Sequence, residues 1–154
     1  MTDYYHLDIT VNEKREYGMS RRKARELALQ TLFQLDYNNI DLDKAITSVM
    51  EEIGTISENA RSYALKLVLG TKEHLSEIDD IISAKTEEWT IERMPGVDRN
   101  IARLAVYELN FSKEDIPQNV VINEAVELAK IFGTDDSSRF INGILGALIK
   151  TRVQ

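Results

Sequence analysis

Residues 119–146 read NVVINEAVELAKIFGTDDSSRFINGILG, and the spacing of their apolar side chains decides the fold class. Ile122, Ala125, Val126, Ala129 and Phe132 recur at three- and four-residue steps, which gathers them on one face of a helix. Val120-Val121-Ile122 could open a strand, but the longer 3.6-residue period that follows outweighs three branched residues. Gly133 is placed to end that helix, and a second one is expected to start at Asp135 or Asp136 and to bury Phe140, Ile141, Ile144, Leu145 and Leu148. Gly143 and Gly146 inside it each cost roughly 1 kcal/mol relative to alanine, so a close approach to the backbone is expected at both.

The same period governs the rest of the chain. Ala24, Leu27, Ala28, Thr31, Leu32 and Leu35 predict a helix over 20–36, with Ser20 as its N-cap. Leu42, Ala45, Ile46, Val49, Met50 and Ile53 predict another, opened by Asp41 and closed by Gly54. A third opens at Ser57 and carries Ala60, Tyr63, Ala64, Leu67, Val68, Thr71, Leu75, Ile78 and Ile82. If unbroken it spans about 40 Å. Pro95-Gly96 and the single tryptophan, Trp89, mark a boundary over 85–97. After it, Ile101, Leu104, Ala105 and Leu109 form a further helical face, and a polar connector over 110–118 leads to Pro117. No segment sustains period-two alternation. The reading is all-α: three helices before Trp89 and at least three after it.

Composition narrows the function. With 154 residues and 43% hydrophobic content, the chain suffices for one domain or two small packed halves. There is no cysteine, so a disulfide framework, a thiolate nucleophile and Cys-ligated metal are all excluded, and a reducing cytoplasm fits. No apolar run approaches the roughly 18–20 residues of a membrane span, and the amino terminus lacks the apolar region of a secretory signal. His6 and His74 have no neighbouring nucleophile or metal-ligand spacing. Glu51-Glu52, Asp79-Asp80 and Glu87-Glu88 are adjacent pairs that diverge by about 100° on a helix. No phosphate-cradling glycine loop or calcium loop is present. Catalytic residues, metals and cofactors are therefore not expected, and the chain does not read as an enzyme.

Two stretches stand out. Arg21, Arg22, Lys23 and Arg25 put four cations into the first turns of the expected helix, where the peptide dipole disfavours each by about 0.3–1 kcal/mol. Spacing alone leaves two readings open, a solubilising cap or a surface for nucleic-acid phosphate. The second stretch is the junction at 132–140. Capping explains much of its polarity, but Arg139 beside Phe140 at a helix start also suits phosphate and base stacking. Against both stands a net charge of −7, which at first sight disfavours nucleic acid.

Three blocks of sequence together resemble a known family: RRKARELALQ with Leu32-Phe33, Val97-Asp98-Arg99 with LAVYEL at 104–109, and Ile116-Pro117 followed by VINEAVELAK at 121–130, Phe132-Gly133 and 137–143. They are similar, in order and spacing over about residues 20–150, to the NusB family of bacterial transcription antitermination factors. The resemblance implies two packed three-helix bundles, at about 20–84 and 85–152 within a single domain over 19–154, preceded by a flexible extension at 1–18. It implies binding to the single-stranded boxA element of ribosomal RNA leaders, jointly with the small-subunit ribosomal protein NusE. Such a pair acts in an RNA polymerase antitermination complex with other Nus factors. Carried over by position, Arg21, Arg22, Lys23 and Arg25 are the expected RNA-backbone contacts, Phe132, Asp136, Arg139 and Phe140 the companion RNA surface, and Glu92, Asp98 and Glu108 the partner face. Four phosphate contacts would give a log affinity against log salt slope of roughly −3. The alternative is a helical adaptor that meets a basic partner without touching RNA. The four cations leave the remainder of the chain at −11, so the acidity belongs to a different surface and argues for a basic partner.

Overall fold

A computed structural model of the chain describes the backbone over residues 2–85 and 90–152, and the side chains over 18–85 and 90–149. Its helices are α1 (Thr2–Tyr37), α2 (Leu42–Ile53), α3 (Glu58–Glu73), α4 (Leu75–Ser83), α5 (Gly96–Asn110), α6 (Gln118–Phe132) and α7 (Ser137–Arg152), with a 3₁₀ turn at Ile91–Arg93 before α5. Among the described residues there is no strand, so the expected all-α class holds. Trp89 lies outside the described residues, as do the side chains of the extension expected to be flexible.

Local chemistry sets both ends of α2 and the start of α3. The Asp41 carboxylate accepts the Lys44 amide at 2.8 Å, and the Ser57 hydroxyl accepts that of Ala60 at 3.1 Å, each satisfying an otherwise orphaned donor. Gly54 closes α2 at φ 92°, where a side chain would be strained, and its N–H reaches the Met50 carbonyl. Two ends differ from expectation. Ser20 is not an N-cap: α1 runs through it, because neither proline nor a capping turn interrupts the chain before it and Gly18 alone does not stop a helix. The long third helix is broken at His74, whose backbone leaves helical geometry at φ −102°, ψ 17°. Its imidazole stacks on Phe111, with ring centroids 4.4 Å apart, and the chain resumes as α4 against α5.

Helices α1, α2 and α3 pack together, as do α5, α6 and α7, and α4 lies on α5. Helix α5 also receives α1 and α3, so one apolar core runs through both groups, from Leu27, Val49 and Leu67 to Ile101, Leu104, Ile141 and Leu145. Glycines let the halves approach. At Gly70 the Tyr107 ring occupies the space a β-carbon would take, and at Gly96 the Tyr37 ring does so at 2.6 Å. The close approach expected at Gly143 and Gly146 is absent: nothing lies within 4 Å of a β-carbon at either.

Candidate nucleic-acid and partner interface

Because α1 is continuous, Arg21 to Arg25 lie well inside a helix and not in its first turn, so the dipole penalty does not apply to them. Successive residues turn by about 100°, and the four cations fan around the helix to different neighbours. The Arg21 guanidinium lies over the Tyr63 ring, 3.6 Å from its centroid, and donates from Nη2 to Glu114 Oε1 at 3.2 Å, with a closest approach of 2.8 Å between the charged groups. Arg22 points the other way. Its Nε and Nη2 donate to the two carboxylate oxygens of Glu124 on α6, both at 3.2 Å, while its side chain stays 58% exposed. That hydrogen bond and the Glu124 charge raise the Arg22 pKa above its ordinary value. Lys23 is exposed, with Glu26 at 3.9 Å.

Arg25 turns inward. Its Nε and Nη2 donate to the Glu108 carboxylate at 2.8 and 2.9 Å, and the Tyr63 hydroxyl donates to the same group at 2.9 Å. The side chains of Arg25 and Glu108 are only 6% and 2% exposed. Burial alone would lower the Arg25 pKa, but the hydrogen bonds and charge of Glu108 outweigh it and the net direction is up. Tyr63 is raised as well, by burial first and then by the adjacent negative charge. In this arrangement Arg25 cannot offer its guanidinium to phosphate, nor Glu108 its carboxylate to a partner. The spacing carried the signal: Arg25 falls on a common face with Ala28, Leu29 and Leu32, and Glu108 with Ile101, Leu104 and Ala105. Asp98 is buried too, in the first turn of α5. Of the three carboxylates expected on the partner face, only Glu92, in the 3₁₀ turn, is exposed.

The α6–α7 junction is a tight turn. The Ser137 hydroxyl accepts the Thr134 amide at 2.9 Å and sits where a β-carbon on Gly133 would be. Asp136 and Arg139 are exposed, whereas Phe132 and Phe140 are half-buried and pack on the core. Glu124, the Arg22 partner, lies eight residues before Phe132 on the same helix, about 12 Å along its axis. The basic stretch and the junction are thus tied to one helix. Between α1 and α6 runs an open groove lined by Arg21, Glu114, Pro117, Val120 and Glu124.

One surface was missed. Phe33 and Tyr37, four residues apart on α1, are both exposed and have ring centroids 4.8 Å apart. Between them Asp36 gathers Arg99 and the Asn100 amide, and Arg103 bridges on to Asp79 at 2.8 Å. Arg99 also donates to the carbonyls of Ile91 and Met94, which fixes the turn bearing Glu92 near the end of α1. Together the two rings form a small exposed apolar patch beside the charged turn. The sequence held these residues, but it did not show that no helix covers them. Among the described residues no cluster of His, Asp or Glu could hold a metal, and no helix is long and apolar enough to cross a membrane.

Known proteins share this chain over most of its length. The model of the NusB family matches residues 22–150. The transcription antitermination protein NusB of Desulforamulus reducens is 51% identical over 134 residues, covering 87% of this chain and 92% of the relative. A solved structure of T. maritima NusB superposes with a TM-score of 0.75 at 42% identity, over 84% of this chain and 90% of that one. A crystal structure of the antitermination factors NusB and NusE in complex with double-stranded RNA superposes with a TM-score of 0.78 at 32% identity, over 86% and 98%. The chain belongs to the NusB family of transcription antitermination proteins.

Proposed function

We propose that this chain binds the boxA element of ribosomal RNA leader transcripts together with NusE, and joins other Nus factors on RNA polymerase in the cytoplasm. The observation that carries the RNA reading is the exposed Arg22 guanidinium beside Lys23, tied to the helix that ends at the Phe132–Phe140 junction. Arg22, Lys23 and the rim of Arg21 take phosphate. Arg139, the edges of Phe132 and Phe140, and Asp136 contact the neighbouring nucleotides. Arg25 holds the surface together from behind. NusE, a basic ribosomal protein, docks on Phe33, Tyr37 and Glu92, where the apolar rings supply buried area and the carboxylate steers the encounter. The likeness to a NusB that was crystallised with NusE and double-stranded RNA supports NusE and RNA as the partners.

A second reading, a protein adaptor without RNA contact, draws on one fact: Arg21, Arg22 and Arg25 are each already paired with a carboxylate. RNA binding measured with and without NusE separates the two. Arg22→Ala combined with Lys23→Ala weakens binding to boxA-type RNA and flattens its salt dependence while leaving NusE binding intact. Unchanged RNA affinity in that variant favours the adaptor.

A further inference from the structure

We propose that Gly96 is a positioning residue of the partner face: because it carries no side chain, it seats the Tyr37 ring against the start of α5 and holds the Phe33–Tyr37 pair in the arrangement that the partner meets. This rests on the NusE-docking reading above and concerns how that surface is preset. Gly96 is the first residue of α5 and is buried. Its backbone does not call for glycine, since its φ is not positive. What excludes a side chain is the ring: a β-carbon at Gly96 would lie 2.6 Å from both Cε2 and the hydroxyl oxygen of Tyr37.

Hydrogen bonds fix the two sides of this seat to each other. Asn100 Nδ2 donates to the Gly96 carbonyl at 2.8 Å and to Asp36 Oδ2 at 3.2 Å, and Arg99 Nε donates to the same carboxylate oxygen at 3.1 Å. Asp36 directly precedes Tyr37, so the end of α1 is tied to the residue that receives its ring. The Tyr37 side chain is itself 60% exposed, with Phe33 beside it at 4.8 Å between centroids. Its placement is therefore set by Gly96 and Phe33, and the apolar core has little hold on it. A methyl group at position 96 would be relieved by swinging the ring toward solvent, at little cost to the fold. The cost falls on docking, because a partner must then order a freed aromatic side chain, and fixing one such group on binding weakens affinity roughly two- to tenfold.

The test measures NusE binding to the full chain by calorimetric titration for Gly96→Ala, Tyr37→Ala and the double variant, with thermal unfolding of each. Gly96→Ala is expected to weaken NusE binding roughly two- to tenfold with little change in Tm. In the Tyr37→Ala background the same change is expected to leave affinity as it was, because the methyl group then meets no ring. A Gly96→Ala chain that binds NusE as tightly as the unaltered one overturns the proposal. So does a loss that persists undiminished in the Tyr37→Ala background, or a large fall in Tm that Tyr37→Ala does not repair, since either places the effect of the methyl group elsewhere than the ring. If Tyr37→Ala by itself leaves NusE affinity unchanged, the docking reading of this face fails and takes the proposal with it, an outcome distinct from a wrong seat on a correct docking face.

Discussion

The buried cluster of Arg25, Glu108 and Tyr63 gives the sharpest prediction. Glu108→Ala leaves a guanidinium buried without its counter-charge and a tyrosine hydroxyl without its acceptor. Breaking one side of such a pair costs about 3–5 kcal/mol. For a chain of 154 residues, with an unfolding entropy of about 2.1 cal/mol/K per residue, that lowers Tm by about 9–15 °C. Replacing the whole cluster by apolar groups of similar volume, Arg25→Met with Glu108→Leu and Tyr63→Phe, removes the desolvation cost together with the attraction and is expected to be within about 1–2 kcal/mol of the unaltered chain. Thermal and urea unfolding followed by far-UV circular dichroism measures both. RNA affinity should survive the triple change if Arg25 acts only from behind the surface. A triple variant as unstable as Glu108→Ala would refute the electrostatic account, and one that folds normally but loses RNA would return Arg25 to the contact set.

Glycine substitutions test the packing from opposite directions. Gly143→Ala adds a methyl group in open space on a helix and should raise stability by about 0.5–1 kcal/mol, whereas Gly70→Ala drives a methyl into the Tyr107 ring and should lower it by about 1–3 kcal/mol. Equal effects in urea unfolding would contradict the geometry. A third expectation concerns alkaline pH. The fold raises the Tyr63 pKa above its ordinary value of 10.0, so its neutral form is favoured in the native state. The resulting stability is fully present below about pH 10 and is lost as pH rises from there toward the folded value. Tyr63→Phe should flatten the decline in urea midpoint above pH 10, and an unaltered slope would exclude the cluster as its source.

How far the sequence reached depended on whether the deciding interaction was local. Helix α2 needed only its own apolar series, Asp41 and Gly54, and the structure has all of them in those roles. At the break the His74 ring stacks on Phe111, which lies 37 residues further on, and no periodicity within 57–82 announces it. The glycines divide in the same way. Gly143 and Gly146 looked costly because propensity is local, while the close approaches occur at Gly70 and Gly96, where the partner ring comes from another helix. Among the site residues, the charge of Arg25 and Glu108 drew attention away from their spacing, which placed both on buried faces. Phe33 and Tyr37 stand on α1 at a spacing any core pair could have, and only the packing of the other helices leaves them open.

The net charge of −7 can now be weighed by distance. At physiological ionic strength the screening length is about 8 Å, so carboxylates on far faces contribute little to a phosphate docked at Arg22. Glu124 at 3.2 Å is not screened in that way. Opposition to RNA therefore comes from a few adjacent carboxylates, and the acidity of the whole chain matters much less. This also changes the salt dependence expected of the basic stretch. Four free cations would give a slope near −3, at about −0.7 for each counterion released. Arg25 is buried, and phosphate at Arg21 or Arg22 replaces a carboxylate of the chain itself, so those contacts release fewer ions from solution. Lys23, held only by Glu26 at 3.9 Å, keeps most of its share. A slope nearer −1 for the unaltered chain, steepening in Glu124→Gln because no displaced carboxylate there takes a cation back from solution, is what intramolecular pairing requires. A slope of −3 would mean that the pairs are already open before RNA arrives.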